Sequence, residues 1–513
     1  QSIGRYITEA QATAVTDYVS AMLHKKSISI DLAYYENPAY YDTLHRAQQE
    51  GPHRPTRIVN GLTRLLKSSV SLTAMVGLLF MFHWSVGLLL FVSTIPGVIA
   101  QVIYARKRFD WQKKRTHDER RATYLNILLT NQAFAKEIRL FDLGSYFSGL
   151  FNKIRAILRG ERLGLTKGAA LADFGAQVFG ALILMGCLMF ITYRTLYGVV
   201  TVGEMVMYFQ AFQRGINYLK ELLTSIAALY EDNMFVAHFF EFLDAKNSVT
   251  SPNEPLAYPA GKQHTIEMKG VGFQYPGVRE PVLNNVNLTI NPGEVVALVG
   301  ANGAGKSTLV KLLCRLYDPS VGEITLGGIE LKKLDLDELR HRISVVFQDY
   351  VKYYLTAKEN IWVGDITEEL SIDKVIDAAK KADAHKFIEE LPRGYDSELG
   401  RWFYTGEELS LGEWQKIVLA RAFFRESQLI ILDEPTSSLD VNTEFHLYTK
   451  FKELMANRSA LLISHRFSTV RMADRIYVLN NGEVAEHGTH QELMAKNGTY
   501  ADMYNKQAMW VNG

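Results

Sequence analysis

A glycine-rich turn in the second half of the chain has the residue types and the spacing of a phosphate-binding loop. Residues 300–307 read G-A-N-G-A-G-K-S and directly follow the apolar run at residues 295–299, which fits G-x4-G-K-[ST] between a strand and a helix. Glycines let the backbone wrap around phosphate oxygens, and the following helix turns its positive end towards the anion. A chance glycine loop is the alternative, but a match to the whole eight-residue motif between a strand and a helix argues against it. The sequence therefore predicts a nucleoside triphosphate site.

Within that loop, the side chains divide between phosphate and metal. Lys306 supplies a positive charge for the β- and γ-phosphates, and the hydroxyl of Ser307 supplies a ligand for Mg²⁺. The predicted nucleotide contacts in this segment are Asn302, Gly303, Ala304, Gly305, Lys306, Ser307 and Thr308.

Two adjacent carboxylates follow a second apolar run. Residues 429–432 read L-I-I-L and lead directly into Asp433 and Glu434. An aspartate in this place can hold Mg²⁺ through water, and the neighbouring glutamate can polarise an attacking water. Asp433 is therefore a predicted metal-binding residue, and Glu434 is the predicted catalytic base.

Two neutral polar side chains follow further apolar runs. Gln348 follows residues 343–347 and can contact metal or water, so we predict it as a catalytic, nucleotide-binding and metal-binding residue. His465 follows residues 461–464 and can hydrogen-bond the γ-phosphate. A lone histidine at the end of a strand is more often a satisfied polar cap, but the whole set in this order predicts one hydrolytic site.

The elements that must position these side chains are strands that alternate with helices. Strand-like runs that are apolar throughout alternate with helical patterns, which favours a mainly parallel sheet covered on both faces. In such a sheet, functional side chains gather at the carboxyl ends of the strands. The runs are at residues 295–299, 343–347, 429–432 and 461–463.

The first half of the chain has a different composition. Residues 68–104 and 174–193 contain no Lys, Arg, Asp or Glu; the first stretch suits two membrane spans and the second suits one. A buried helix of a soluble protein is the alternative for each, but three together favour a membrane. Over all 513 residues the net charge is +1, which suggests no nucleic-acid partner, and two distant cysteines give no disulfide framework.

A fourth span is predicted over residues 201–230, where polar residues interrupt an apolar helix on one face. Because polar groups facing lipid are costly, this face should line a cavity, although the last two polar residues could instead lie outside the membrane. Neighbouring Met, Tyr and Phe side chains suit an amphipathic pocket. The polar residues are Gln210, Gln213, Arg214, Asn217, Lys220 and Glu221.

Basic residues set the predicted orientation. Arg and Lys concentrate in residues 54–67, 105–121 and 155–167, whereas the turns near residue 83 and at residues 194–203 are poor in them. The positive-inside rule places the basic segments, and with them the triphosphate site, in the cytoplasm. Nucleic-acid binding by residues 105–121 is the alternative, but topology or contact with lipid headgroups is the simpler explanation.

Together these motifs resemble those of exporter-type half-transporters of the ATP-binding cassette (ABC) family. Residues 409–413, L-S-L-G-E, resemble the family's signature sequence, and residues 438–440 resemble its D-loop. Residues 397–401 resemble the segment that contacts loops of the membrane domain, and residues 273–276, F-Q-Y-P, resemble the strand whose aromatic residue stacks on adenine. The resemblance implies nucleotide contacts from Tyr275, Ser410, Gly412, Glu413 and Asp440.

The signature departs from the family's commonest form at two positions. Leu411 occupies the first glycine position and Glu413 replaces glutamine, while Ser410 and Gly412 remain. We expect a working site, because the retained residues are those that reach the γ-phosphate, and Glu413 adds a negative charge beside them. An ordinary helix start with Ser410 as its N-cap is the alternative, and it is compatible with phosphate binding at that helix end.

The resemblance also implies an architecture. It predicts an α-helical transmembrane domain at residues 1–245, a linker at 246–263 and an α/β P-loop ATPase domain at 264–508, with ATP and Mg²⁺ as cofactors. Because one cassette's signature completes another's phosphate site, we expect a dimer with a second copy or with a paralogous half-transporter. Family members have six spans per half, so two spans are expected before this sequence, and docking helices are expected at residues 35–47 and 155–167.

The expected function is ATP-driven export of an amphipathic peptide, lipid or drug. The expected place is the bacterial inner membrane, with the ATPase domain in the cytoplasm. A soluble ATPase of the same superfamily, used in DNA repair or translation, is one alternative, and the uncharged runs argue against it; an ATP-gated channel is another. Residues 136–141, K-E-I-R-L-F, and the pair Trp414 and Gln415 also resemble bacterial exporters of modified peptides.

Overall fold

The chain divides into two structural units. The computed structural model describes residues 2–37, 54–259, 261, 263–435 and 458–512. One unit is made of Gln1–Ser29 with Tyr41–Ala245, and the other of Ile30–Tyr40 with Lys246–Gly513. The first is helical and the second is a mixed α/β unit, which confirms the predicted fold class. A short segment near residue 30 therefore belongs to the second unit, although helices of the first unit precede and follow it in the chain.

Long helices make up most of the first unit, and capping side chains mark the start of two of them. At one junction the ring Nδ1 of His83 accepts from the backbone N–H of Ser85. Thr201 opens the last helix with a capping box, in which the hydroxyl accepts from the N–H of Glu204 and that carboxylate accepts from the N–H of Thr201. The helices are α1 (Ser2–Ser29), α3 (Arg54–Phe82), α4 (Trp84–Thr130), α5 (Ala135–Leu140), α6 (Gly144–Leu196) and α7 (Val202–Leu243), while α2 (Leu32–Glu36) belongs to the second unit.

Three of these helices are long and apolar enough to cross a membrane. Among the described residues they are Thr56–Phe82, Trp84–Thr130 and Gly144–Leu196, and they contain the uncharged runs of the predicted spans. The fourth predicted span lies on α7, where polar residues interrupt the apolar sequence, and it stays a prediction. On α6, exposed apolar side chains recur at helical spacing, as contact with lipid requires: Phe174, Val178, Leu182, Met185 and Met189.

The docking helix predicted at residues 155–167 is wrong. These residues lie inside α6, which runs unbroken for 53 residues. The interruption between the long helices comes earlier, where a 3-10 turn spans Gln132–Phe134 and α5 follows. Asp142 then adopts a φ of 50° before α6 begins. The charged residues at 155–167 had marked a solvated helix face and not a helix end. For the docking helix predicted at residues 35–47, only residues 35–37 are described.

A mainly parallel sheet organises the second unit, as predicted. Its strands are β3 (Val295–Val299), β6 (Ile343–Val346), β7 (Leu429–Asp433), β8 (Ser459–Ile463), β9 (Arg475–Asn480) and β10 (Glu483–Gly488). Their order is β10-β9-β3-β8-β7-β6. From β9 to β6 neighbouring strands are parallel, and β10 joins the edge in the antiparallel sense. The carboxyl ends of β3, β8, β7 and β6 therefore lie side by side.

A second, antiparallel sheet was not predicted. It consists of β1 (Ile266–Phe273), β2 (Leu283–Ile290), β4 (Val321–Leu326) and β5 (Ile329–Glu330) in the order β2-β1-β4-β5. Buried and more accessible positions alternate along β1. In the sequence, strands are predicted from fully apolar runs, and a strand with one accessible face carries polar residues that interrupt such a run.

The core lies on both faces of the parallel sheet. Leu429 and Ile431 pack into one apolar cluster with the antiparallel sheet, whereas Ile430 and Leu432 pack into another cluster with Trp414. This division follows from the strand period of two, because alternate side chains point to opposite faces. The covering helices are α8 (Lys306–Leu313), α9 (Leu336–His341), α10 (Ala357–Trp362), α11 (Ile372–Lys381), α12 (His385–Glu389), α13 (Leu411–Phe424), α14 (Phe467–Val470), α15 (His490–Lys496) and α16 (Thr499–Asn512).

Candidate nucleotide site and membrane cavity

The phosphate-binding loop lies between β3 and α8, in the strand–turn–helix order that its sequence predicts. Gly303 and Gly305 have φ angles of 81° and 104°, which L side chains rarely adopt. A Cβ on Gly305 would also lie 2.6 Å from Cδ2 of Leu283. At Gly305 the packing therefore has room for the backbone but not for a side chain. The N–H groups at the start of α8 can then face an anion.

The side chain of Lys306 folds back over its own loop. Its Nζ donates to the carbonyl oxygens of Gly300 and Ala301, at 2.7 and 2.9 Å. Burial lowers the pKa of Lys306, while the nearby carboxylates of Glu434 and Asp433 act in the opposite direction. The loop carbonyls thus hold the ammonium beside the place where β- and γ-phosphates would bind.

Asp433 and Ser307 form a pair that suits a magnesium ion. The hydroxyl of Ser307 lies 3.5 Å from Oδ2 of Asp433, which is almost fully buried. Burial raises the pKa of Asp433 to about 6, and the charge of Glu434 adds to the rise. The charge of Lys306 offsets this rise only in part, and hydroxyl and carboxylate oxygens are ligands that Mg²⁺ accepts. The residues present therefore fit the metal.

Glu434 is the centre of a hydrogen-bonded cluster. Its Oε2 accepts from Nε2 of Gln348 at 2.9 Å, and its Oε1 lies 3.0 Å from Nδ1 of His465. Its N–H donates to the carbonyl of Ile463 on β8, at 2.9 Å. A φ of 50° at a glutamate is uncommon, and such backbone conformations concentrate at functional sites. The structure thus brings the three predicted catalytic side chains together.

Tyr275 stands beside the start of α8. Its hydroxyl lies 3.0 Å from Oγ1 of Thr308. Its ring meets the rings of Phe273 and Tyr317 edge to face, with centroid distances of 4.9 and 5.4 Å. The sequence indicated Tyr275 but not Tyr317, because only the fold brings these two segments together.

The signature residues form a helix N-terminus. Ser410 is the N-cap of α13, and its hydroxyl accepts from the N–H of Glu413. One carboxylate oxygen of Glu413 accepts from both the N–H and the hydroxyl of Ser410, each at 2.8 Å. Gly412 lies within this first turn. Among the described residues, no hydrogen bond joins Ser410 or Glu413 to the phosphate-binding loop, and Asp440 lies outside the described residues.

A cavity of about 340 Å³ lies between α4, α6 and α7 in the first unit. Nζ of Lys220 lies 3.7 Å from Oδ1 of Asp173, whose other oxygen accepts from Gln177 at 2.7 Å. Apolar and small side chains complete the lining. Of the predicted polar face on α7, three residues line the cavity and Gln210, Arg214 and Glu221 lie outside it. The polar lining includes Gln101, Asp173, Gln177, Gln213, Asn217 and Lys220.

Comparisons with known proteins agree with this geometry. A family model described as ABC transporter matches residues 283–437. The subtilin transport ATP-binding protein SpaT of Bacillus subtilis is 33% identical over 484 residues, which cover 93% of this chain and 78% of that protein. The nisin transport ATP-binding protein NisT of Lactococcus lactis is 29% identical, covering 95% and 81%. An ATP-dependent lipid A-core flippase of Methylobacillus flagellatus is 35% identical, covering 70% and 56%.

A solved structure extends the similarity to the whole fold. A bacterial Atm1-family ABC exporter with ATP bound matches with a TM-score of 0.79 at 26% identity, covering 98% of this chain and 86% of that one. The chain therefore belongs to the ABC transporters, as a half-transporter of the exporter type. It is an integral membrane protein that binds and hydrolyses ATP to export an amphipathic substrate, and the soluble-ATPase and channel alternatives are not favoured.

Proposed function

We propose that two copies of this chain together export an amphipathic peptide from the cytoplasm across the bacterial inner membrane. Two relatives that span most of the chain carry subtilin and nisin in their names, which supports a peptide. In this proposal residues 1–245 hold the substrate path, residues 246–263 link the parts, and residues 264–508 bind ATP and Mg²⁺.

The observation that carries this proposal is the lining of the membrane cavity. Carboxamides can pair with peptide groups, and the loose Asp173–Lys220 ion pair can exchange partners with charged side chains. Apolar neighbours such as Leu184 and Ile216 can accept apolar side chains. Gln101, Gln177 and Gln213 lie within predicted membrane spans, where polar groups are costly, so their concentration at one cavity argues for a ligand that uses them.

A second copy is proposed because each phosphate site is incomplete within one chain. Ser410 and Gly412 open a helix whose start is exposed, with 59% of Leu411 accessible. The positive end of α13 is therefore available to an anion held by another chain. The phosphate-binding loop and the catalytic cluster are both present here, so two identical copies suffice to form two working sites.

The proposed mechanism assigns a step to each side chain. Lys306 leaves its loop carbonyls for the β- and γ-phosphates, and Tyr275 stacks on adenine. Mg²⁺, held by Ser307, Asp433 and Gln348, would neutralise charge on the phosphates. Glu434 polarises the attacking water, and His465 orients Glu434 and hydrogen-bonds the γ-phosphate. Binding of ATP favours the closed pair of ATPase domains and hydrolysis releases it, so the nucleotide biases two states of the cavity.

Transport into inside-out vesicles tests the substrate. The full chain is expected to take up a labelled cationic amphipathic peptide only with ATP and Mg²⁺, and the Glu434→Gln variant is expected to take up none. Uptake of a fluorescent phospholipid or a hydrophobic dye with no uptake of any peptide would contradict the peptide proposal.

Mixed cross-linking tests the second copy. A chain carrying Ala301→Cys and a differently tagged chain carrying Ser410→Cys are co-expressed, and ATP is added in the Glu434→Gln background. A disulfide that joins the two differently tagged chains is expected. The native Cys187 and Cys314 are buried and should not compete for it. A cross-link that never joins the tags would exclude the composite site.

A further inference from the structure

A short segment of the chain is fixed to the second unit far from its neighbours in sequence. Residues 30–37 lie between α1 and α3 in the chain, yet they group with the second unit. Leu32 and Ala33 pack against its apolar core. Oδ2 of the buried Asp31 accepts from the N–H and the hydroxyl of Ser248, at 2.5 and 2.7 Å. We call residues 30–37 the docking segment.

The docking segment ends at a carboxylate that has two partners. Oε1 of Glu36 accepts from Nζ of Lys311 at 2.6 Å, and Oε2 accepts from the hydroxyl of Tyr317 at 2.6 Å. Lys311 lies on α8, the helix that the phosphate-binding loop opens. Burial raises the pKa of Tyr317 and the contact with Glu36 raises it further, so the phenol stays a donor. Both bonds are charge-assisted, which makes them stronger than neutral ones.

Both partners of Glu36 contact the aromatic ring of Tyr275. Nζ of Lys311 lies 5.2 Å from the centroid of that ring and 5.9 Å from the centroid of Tyr317. The edge-to-face contact between Tyr317 and Tyr275 closes the group. The carboxylate of Glu36 thus holds both Lys311 and Tyr317, which pack around the ring of Tyr275. A single side chain therefore connects the docking segment to that ring.

We propose that Glu36 is a positioning residue for the adenine-stacking ring of Tyr275. Through it, recognition of the base responds to the placement of the docking segment. The inference rests on the role proposed above for Tyr275. A contact that only anchors the docking segment would affect every triphosphate alike, because it would act on the whole unit. A contact that positions Tyr275 affects only ligands that carry a base.

This link works in both directions. If adenine on Tyr275 favours one placement of Lys311 and Tyr317, it also favours the docking segment in its observed place, and the segment changes affinity for the base by the same factor. Glu36 and Lys311 are partly accessible to solvent, with side-chain exposures of 38% and 26%. Solvent screening reduces such contacts, so we expect a factor of about 5, at the low end for coupled sites.

The test compares ATP with inorganic tripolyphosphate, which has no base, on the purified full chain. In Glu36→Gln the KM for ATP is expected to rise about 5-fold with kcat unchanged, while tripolyphosphate inhibits ATP hydrolysis with the same constant as in the parent. Tyr317→Phe, which removes only the phenol contact, should shift KM in the same direction. Glu330→Gln, which breaks the exposed Glu330–Lys333 pair at 3.7 Å, is the matched control and should shift neither.

A double-mutant cycle separates the possible failures. If Glu36 acts through Tyr275, the variant carrying both Glu36→Gln and Tyr275→Ala should have the KM of Tyr275→Ala alone. Additive effects, or equal losses for ATP and tripolyphosphate, would overturn the role of Glu36 and leave that of Tyr275 intact. A Tyr275→Ala variant with an unchanged KM for ATP would instead remove the stacking role on which the inference rests.

Discussion

At the residue scale, the proposed catalytic carboxylate of Glu434 is held by side chains that follow two other strands. Gln348 and His465 each contact one oxygen of Glu434, so its orientation is over-determined and its unusual φ is maintained. In the proposed mechanism the two neighbours therefore orient the glutamate for a water molecule as well as contacting phosphate or metal themselves.

Replacing Glu434 by glutamine should separate binding from hydrolysis. Gln keeps the side-chain shape but cannot accept a proton from water, so turnover should fall roughly 10²–10⁴-fold. Affinity for ATP should remain. The measurement is phosphate release beside equilibrium binding of ATP. Turnover near that of the parent would remove Glu434 from the catalytic role.

Replacing Asp433 by asparagine should stabilise the nucleotide-free protein at neutral pH. The folded pKa of about 6 lies above the ordinary value of 3.8. The buried carboxylate therefore costs stability that grows as pH rises between about 4 and 6 and stays constant above, reaching about 3 kcal/mol. Thermal unfolding at pH 8 should show a higher midpoint for Asp433→Asn, and this advantage should shrink at pH 5.

Nucleotide reverses that comparison. The parent gains stability when Mg²⁺ and ATP bind to the folded protein, and Asp433→Asn should gain less because it lacks a metal ligand. In the nucleotide-free protein, a stability advantage of Asp433→Asn that is equally large at pH 5 and pH 8 would show that the Asp433 carboxylate is not desolvated in the way described.

At the element scale, the phosphate-binding loop depends on the absence of a side chain at one position. Gly305→Ala combines a φ of 104° with a Cβ 2.6 Å from Leu283. We expect binding of a fluorescent ATP analogue to weaken more than 10-fold, because the misplaced loop costs more than 1.4 kcal/mol. Gly328→Ala is the matched control, since it shares a positive φ of 82° but meets no atom within 4 Å. A similar loss of ATP-analogue binding in both variants would show that backbone strain alone, and not the clash with Leu283, causes the effect.

Elements with local signals could be predicted from the sequence. The phosphate-binding loop and the strands before Gln348 and Glu434 follow from residue types that lie close together in the chain. Other features depend on contacts between distant segments. Tyr317 reaches Tyr275 across 42 residues, and Glu36 reaches Lys311 across 275. No local pattern marks such partners, because only the fold creates the contact.

The helix boundaries show the same limit. The family resemblance implied a docking helix at residues 155–167, before the next predicted span. The structure continues α6 through them, since nothing in that stretch prevents helical hydrogen bonds. The true interruption depends on Asn131, whose side chain accepts from the N–H of Ala133, and on Asp142 with its positive φ. Short polar residues at a helix end were the usable signal.

At the scale of the whole molecule, the membrane cavity should set which peptides stimulate hydrolysis. Lys220→Gln removes one half of the ion pair with Asp173 and should raise the peptide concentration for half-maximal ATPase stimulation about 5-fold, equivalent to about 1 kcal/mol. Glu161→Gln, which breaks the Arg115–Glu161 pair outside the cavity, is the control and should leave that concentration unchanged. Equal effects in both would assign the change to general loss of charge.

The order of segments in the two units has a practical consequence for fragment studies. A recombinant piece that starts at residue 246 would omit Asp31, Leu32, Ala33 and Glu36, leaving bare the apolar patch and the lysine that they cover. Dissociation constants for nucleotide measured on such a truncated domain would describe a protein whose apolar patch and Lys311 are exposed. After a single proteolytic cut between residues 245 and 246, the N-terminal fragment would still contain the docking segment, whose contacts with the second unit would hold the two fragments together.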